Sequence, residues 1–374
     1  MDRAKRRAAP RSVEARARAP ARPDGRSGGG PGLRSSAPTR GRREAVTASG
    51  LRVVRLEGDP SSRGRRAGEL LGDLVERSLA FYRGTFADPE RIAAPFRRAA
   101  ERSLPELVTW LDAFADGAEV SRAELFAVNA FEELEQLAPV ERCSTFTALG
   151  EGFTLLGHNE IWLAGDSGNA AVVIERPLNG PAVASPTLAC CLPAVGMNAH
   201  RTARGVDSLT ARDDRVGVPR VLVSRHVLDA SGRDDAFRRA SLEGRAGGYA
   251  YVFAAPGEVF TIETTAKRAA VLNGARALVH TNHYLAPELR ELGEEPSTSS
   301  ESRLTHLQGL LDARPPRTPE DAMSVLRDHA CESHAGEYGI VFSMVCELES
   351  ARMWVAPGDP AATPYEEVDL DGVV

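Results

Sequence analysis

ERCSTFTALGEGFTLLGHNEIW, residues 141–162, is the stretch on which the fold turns. After Cys143, small, β-branched and apolar residues run through Ser144-Thr145-Phe146-Thr147-Ala148-Leu149. Gly150-Glu151-Gly152 interrupts them, and Phe153-Thr154-Leu155-Leu156 resumes the pattern up to Gly157-His158-Asn159. Two such runs joined by a short glycine-containing loop predict a β-hairpin, here with a three-residue turn. A cysteine heading the first strand is ordinarily a small buried hydrophobe. The surrounding chain decides whether this one is more.

Upstream, the chain reads as one strand, LRVVRLEG from residue 51, followed by helices. Leu70, Leu71, Leu74, Val75, Leu79 and Tyr82 recur at helical spacing, PELVTWLDAFADGAEV continues it, and SRAELFAVNAFEELEQL reads as a helix capped by Ser121 with Glu124 at N3. Downstream come the short β-rich runs AAVVIERP, TLACCLPAV, ARGVDSLTA, GYAYVFAAP, EVFTIETTA and ALVHTNHYL. The helical pieces VPRVLVSRHVLDA and RDDAFRRASLE lie among them. SESRLTHLQGLLD and TPEDAMSVLRDHAC are helical again, and YGIVFSMVCEL with RMWVAP closes the chain as a strand pair. This order predicts an α+β domain over residues 51–374, with antiparallel sheets packed inside helical layers, a helical part to residue 142 and a strand-rich part from 143.

Residues 1–50 form an Arg/Pro/Gly-rich tail with too little apolar surface to order itself and no apolar core of signal-peptide length. The tail holds 13 Lys+Arg against 4 Asp+Glu, and the remaining 324 residues hold 33 against 48. An acidic body gives no reason to expect nucleic-acid binding. The chain has no apolar run long enough to span a membrane. An odd number of cysteines, at 143, 190, 191, 331 and 346, argues against a disulfide framework and for a reduced, cytoplasmic setting.

Several short motifs invite readings that spacing rejects. GDSG at 165–168 has no Ser-His-Asp partners assignable by sequence. The glycines of GEGFTLLG join two strands, whereas a nucleotide loop joins a strand to a helix. HTNH at 280–283, taken as strand, sends its histidines to opposite faces, and HACESH at 329–334, taken as helix, spreads them around the axis. Neither makes a metal site.

Cys143 stands apart because several separated segments resemble one family around it, the acyl-CoA:isopenicillin N acyltransferases, relatives of the choloylglycine hydrolases among the N-terminal nucleophile hydrolases. The segments are GDPSSRGRRAGELLGDLVERS, CSTFTALGEGFTLLGHNE, GMNAHRTARGVDSLTARDDRVGVPR, HTNHYL and SESRLTHLQGLL. The resemblance implies a four-layer α/β/β/α sandwich and self-cleavage between Arg142 and Cys143, which leaves two chains held together by packing. It also implies a thiol nucleophile whose freed α-amine, with an ordinary pKa near 8, serves as its base. The substrate is then a small acylated amine or peptide, with no metal or redox cofactor and with acyl-CoA open as a co-substrate.

Carried over residue by residue, the resemblance makes Cys143 the nucleophile, Asn282 of HTNH a neighbour of nucleophile and oxyanion, and Arg303 of SESRL a support for the nucleophile. Asn159 falls in the GHNE stretch. Two positions depart from the pattern. Ile161 stands where relatives carry an aspartate near the cysteine amine, and Asp207 where they carry an oxyanion-donating asparagine. An isoleucine accepts no hydrogen bond, and a carboxylate repels an oxyanion unless burial keeps it protonated. Glu160 is expected on the opposite face, reaching the cysteine only through a bulge; Asp166 and Asp207 are the other carboxylates open to the vacant role. A catalytically impaired relative that binds a ligand or a protein is the alternative reading.

Overall fold

The computed structural model describes residues 44–134, 143–330 and 337–374, all within one compact unit. Two sheets form its centre. Numbered along the chain, the larger runs in the order β1 (Glu44–Val46), β2 (Arg52–Gly58), β5 (Ala170–Pro177), β6 (Val183–Leu188), β7 (Gly196–Asn198), β8 (Ala203–Leu209), β9 (Gly248–Ala255), β10 (Glu258–Thr264), β11 (Ala269–Asn273). The smaller runs β12 (Ala277–His280), β3 (Ser144–Gly150), β4 (Phe153–Leu163), β13 (Tyr338–Glu347), β14 (Arg352–Pro357), β15 (Glu366–Val368). Every neighbouring pair is antiparallel except β2 with β5.

The sheets face each other through β3 and β4 against β8 and β9. On the outside of the larger sheet lie α1 (Pro60–Leu79), packed on β2 and β5, and α6 (Arg220–Leu228) and α7 (Arg233–Ala240), packed on β8 to β10. On the outside of the smaller sheet lie α9 (Thr298–Ala313) and α10 (Pro319–His329). The fold is therefore an α+β four-layer α/β/β/α sandwich. Its main core joins the face between the sheets to the helices over β2 and β5, and a second core seals α9 and α10 onto the smaller sheet.

The helical part is tied down by close approach. In α1, a Cβ at Gly64 would lie 2.2 Å from the Trp110 carbonyl oxygen, and one at Gly68 would lie 2.3 Å from that of Phe114. Both carbonyls belong to α3 (Pro105–Gly117), so glycine sets the spacing of the pair. Helix α2 (Pro89–Ser103) escapes the sequence reading because its buried face is nearly all alanine, with Phe96 its one large side chain.

Four expectations need correction. The hairpin ladder continues to Gly150 opposite Phe153, so only Glu151-Gly152 form the loop, with Gly152 at φ 76°. The helix expected over 121–137 breaks after Val128, and α5 (Phe131–Leu134) follows it at once. Asn129 makes the break by donating Nδ2 to the carbonyls of Leu125 and Cys190 and accepting the Leu192 N–H. TLACCLPAV is strand only to Leu188, and Cys190 and Cys191 occupy a turn. Residues 44–50 of the expected tail belong to the fold, since β1 pairs with β2; residues 1–43 lie outside the described ones.

Candidate active site

The hairpin is the site's scaffold, and strand alternation decides what it offers. Ser144, Phe146, Asn159 and Ile161 face the α9–α10 layer, while Thr145, His158 and Glu160 face the larger sheet with the Cys143 thiol. Gly205 on β8 makes room for them: a Cβ there would meet Thr145 Cγ2 at 2.7 Å and His158 Nδ1 at 2.9 Å.

The Cys143 thiol donates to Glu160 Oε1 (3.2 Å), and His158 Nε2–H donates to Glu160 Oε2 (3.0 Å). His158 Nδ1 is then left to accept the Thr145 hydroxyl proton at 2.8 Å. Burial pushes the thiol well above its ordinary pKa, the nearby charges of Glu160 and Asp207 add to this, and the Ile161 backbone N–H offsets part of it. Glu160 thus reaches the cysteine without any bulge in its own strand. The irregularity expected there sits in β13, between Ile340 and Phe342. The Ile161 side chain packs with Ala330 and Ile340 on the far face, so what position 161 presents to the thiol is its backbone.

Arg303, on α9, gathers the other residues. Its Nη1 donates to the Cys143 carbonyl (2.6 Å) and to Ser144 Oγ (3.1 Å), and its Nη2 donates to Asn282 Oδ1 (2.8 Å). Asn282, just beyond the end of β12, donates Nδ2 to the Ser208 carbonyl (3.1 Å). Asn159 does not join them. It donates to the Leu326 carbonyl of α10 and accepts from Ser343 Oγ at 2.6 Å, stitching the outer layer to the sheet.

Asp207 is fully buried on β8 within electrostatic reach of the thiol, and among the described residues neither of its carboxylate oxygens has a hydrogen-bond partner. Burial drives its pKa up to about 7, although His280, His158, Thr145 and Arg303 all pull the other way. His280 Nδ1 stands 3.6 Å away. That imidazole donates from Nδ1 to the Thr281 carbonyl and from Nε2 to Glu263, which takes both ring nitrogens as donors and so the charged form. Burial opposes this charge, but the Glu263 hydrogen bond and the Glu263 and Asp207 charges carry the His280 pKa above its ordinary value.

The thiol opens on a cleft of about 790 Å³, counting its mouth, walled mainly by apolar side chains such as Phe131, Trp162, Leu188, Leu192, Val206 and Phe342. Its polar lining includes Glu160, Glu132, Thr187, Ser208 and Tyr249. Glu132, with 9% of its side chain exposed, accepts from the Ser208 and Tyr249 hydroxyls, with Arg220 Nε 3.9 Å away. Burial raises its pKa against that guanidinium. Reading residues 121–137 as one continuous helix hid Glu132; the break at Asn129, signalled only by an asparagine, turns it inward. Asp166 is not part of this group, since it is held by Ser78, Tyr82 and Asn169. Among the described residues no three His, Cys, Asp or Glu side chains are grouped to hold a metal ion, and no helix is long and apolar enough to cross a membrane. Arg142 and residues 331–336, which carry the expected cleavage position, Cys331 and most of HACESH, lie outside the described residues.

A family model described as acyl-coenzyme A:6-aminopenicillanic acid acyl-transferase matches residues 150–361. That is more than half of the chain, which belongs to this family. The matched segment starts after Cys143 and includes Asn159, Asp207, Asn282 and Arg303. No curated protein sequence matches. Among solved structures, the chain is similar to penicillin V acylase from Agrobacterium tumefaciens, with 13% identity over 62% of this chain and 87% of that one and a TM-score of 0.42.

Proposed function

We propose that this acyltransferase-family chain is a cysteine amidohydrolase or acyltransferase that carries the acyl group of a small acylated substrate as a thioester on Cys143. One observation supports this above the others: the Cys143 thiol lies on the wall of a largely apolar cleft, with its own carbonyl held by Arg303. The apolar walls suit an apolar acyl group. Attack by Sγ on an amide or thioester carbonyl expels the amine or thiol, and water or an acceptor amine then releases the acyl group. Acyl-CoA is a fitting donor in the transfer direction. Self-cleavage between residues 142 and 143 belongs to the same reading. A second reading, a non-catalytic module that binds an acyl or peptide ligand, draws on the buried, strongly protonated thiol.

Purified protein run on a denaturing gel separates the two. Under the first reading the 40.1 kDa chain resolves into fragments 1–142 and 143–374, N-terminal sequencing of the larger starts at Cys143, and Cys143→Ala stays whole. Limiting iodoacetamide labels Cys143 ahead of the other cysteines and abolishes turnover. A chain that stays whole, turns over no acyl substrate and labels at Cys143 no faster than elsewhere supports the binding module.

A further inference from the structure

We propose that Glu132 selects the substrate by receiving a protonated nitrogen on its amine part, so that the preferred amides are those of diamines and the disfavoured ones those of amino acids. The inference rests on the reading of Cys143 as an acyl-carrying nucleophile and names the class of amine attached to the acyl group. The charge of the cleft carries it. Among the described residues that line it, the charged side chains are Glu132 and Glu160, and no Lys, Arg or His is present. Glu160 accepts from His158 Nε2 (3.0 Å), and the α-amine that cleavage would free belongs to Cys143 on that same side. Glu132 is the carboxylate left for a ligand. Its two oxygens accept from neutral hydroxyls, those of Ser208 and Tyr249. The cation behind it is shared: Arg220 Nε lies 3.9 Å from Glu132 but 2.9 Å from Glu133, and its Nη2 lies 3.2 Å from Asp214. One guanidinium thus faces three carboxylates, and among the described residues Glu133 Oε2 has no hydrogen-bond partner. A cation entering from the cleft supplies the charge that this corner lacks.

Shared partners link the corner to the nucleophile. Ser208 gives its hydroxyl proton to Glu132 and accepts Asn282 Nδ2 on its carbonyl, and Asn282 is held by the same Arg303 that holds the Cys143 carbonyl. Glu132 keeps its place through contacts away from the bond before Cys143. Phe131 packs edge-on against Tyr82, Phe86 and Trp162, and Glu133 Oε1 accepts the Arg220 backbone N–H (2.8 Å). The apolar walls suit the acyl chain, and a charge on that chain would lose its water against them. The amine part, beyond the carbonyl, is the part that can turn to Glu132. A carboxylate there would meet a like charge, so attraction and repulsion select together.

Four amides of similar length test this on the full chain. N-hexanoylcadaverine is positive on the amine part, N-hexylhexanamide is neutral, N-hexanoyl-ε-aminocaproate is negative on the amine part, and ε-aminocaproyl hexylamide is positive on the acyl part. The expected order of kcat/KM puts the cadaverine amide first, ahead of the neutral amide by about 10-fold or more, as a hydrogen bond between charged groups gives. The aminocaproate amide comes last. In Glu132→Gln the ratio of cationic to neutral amide falls to about 1. A wild-type ratio at or below that level, a preference for the cation on the acyl part, or an unchanged ratio in Glu132→Gln overturns the proposal and leaves the acyl-enzyme reading standing. Should Glu132→Gln fail to fold, Glu132→Asp holds the charge on a shorter arm; a ratio reduced several-fold supports the assignment, and the wild-type ratio overturns it. A wild-type chain with no turnover on any acyl substrate overturns the preceding reading instead. The corner is then judged by calorimetric binding of the same amides. Tightest binding of the cadaverine amide, lost in Glu132→Gln, supports the assignment, and equal binding or none overturns it.

Discussion

Glu175 on β5 and Asp207 on β8 are carboxylates of the same sheet, each with at most 1% of its surface exposed, yet they are kept in opposite ways. Glu175 Oε1 accepts from Arg63 Nε (2.9 Å) and Trp110 Nε1 (2.7 Å), and Oε2 accepts from Arg225 Nη2 (2.8 Å). Burial acts to raise its pKa, but the two guanidinium groups outweigh it and leave the pKa below the ordinary range. Asp207 has no such bonds among the described residues and is pushed up to about 7. The first carboxylate joins α1, α3, β5 and α6 into one block. The second stands beside the thiol in a condition that serves no packing purpose. A buried charge that is fully satisfied marks architecture, and one left unsatisfied beside a thiol marks a candidate site.

The largest effect should follow from breaking the satisfied cluster. Glu175→Ala strands two buried guanidinium groups and should cost about 3–5 kcal/mol of stability in urea denaturation at pH 7, while Cys143 alkylation in the folded protein stays at the wild-type rate. A midpoint close to wild type would remove the distinction between the regions.

Ile161→Asp builds a new buried carboxylate, this time among Ala330 and Ile340. It should destabilise by about 2–4 kcal/mol at pH 7 and by less at pH 4, where the new group is protonated. Faster turnover in this variant would show that the side chain at 161 does reach the thiol and would reverse the assignment of faces.

Asp207→Asn should act with the opposite sign. Because the native pKa lies above the unfolded value of 3.8, the native state holds its proton while the unfolded state releases it. Stability from this group therefore falls as pH rises from about 4 to about 7. Replacing the carboxyl should raise stability by up to about 4 kcal/mol at pH 8 and change little at pH 4, measured as Tm against pH. Glu175 runs the other way, adding stability above its unfolded pKa that is lost as pH falls. A Tm loss at pH 8 in Asp207→Asn would mean that the charged His280 needs an ionised Asp207 beside it.

Much of the fold was legible from local pattern. Strand period, glycine turns and caps such as Ser121, whose side chain accepts the Glu124 N–H, depend on neighbours in sequence, and those readings matched the elements found. The alanine-faced α2 and the break at Asn129 were not legible, because alanine carries little periodic signal and Asn129 acts through Cys190 and Leu192, some sixty residues on. At the site, Cys143, Asn282 and Arg303 could be picked out by segment and do meet through Arg303, whereas Asn159 went to the wrong face.

What the sequence determined by itself was therefore the layered class, the hairpin and the cysteine at its head, since each follows from covalent neighbours and a two-residue period. The partner of the thiol, the protonation of Asp207 and the inward turn of Glu132 were decided only by the tertiary structure. They depend on β3, β8, β10, β12 and α5 being brought within a few ångströms of one another, and on the water removed when that happens. Burial and the count of hydrogen-bond partners set a carboxylate's charge, and neither is a property of any one segment.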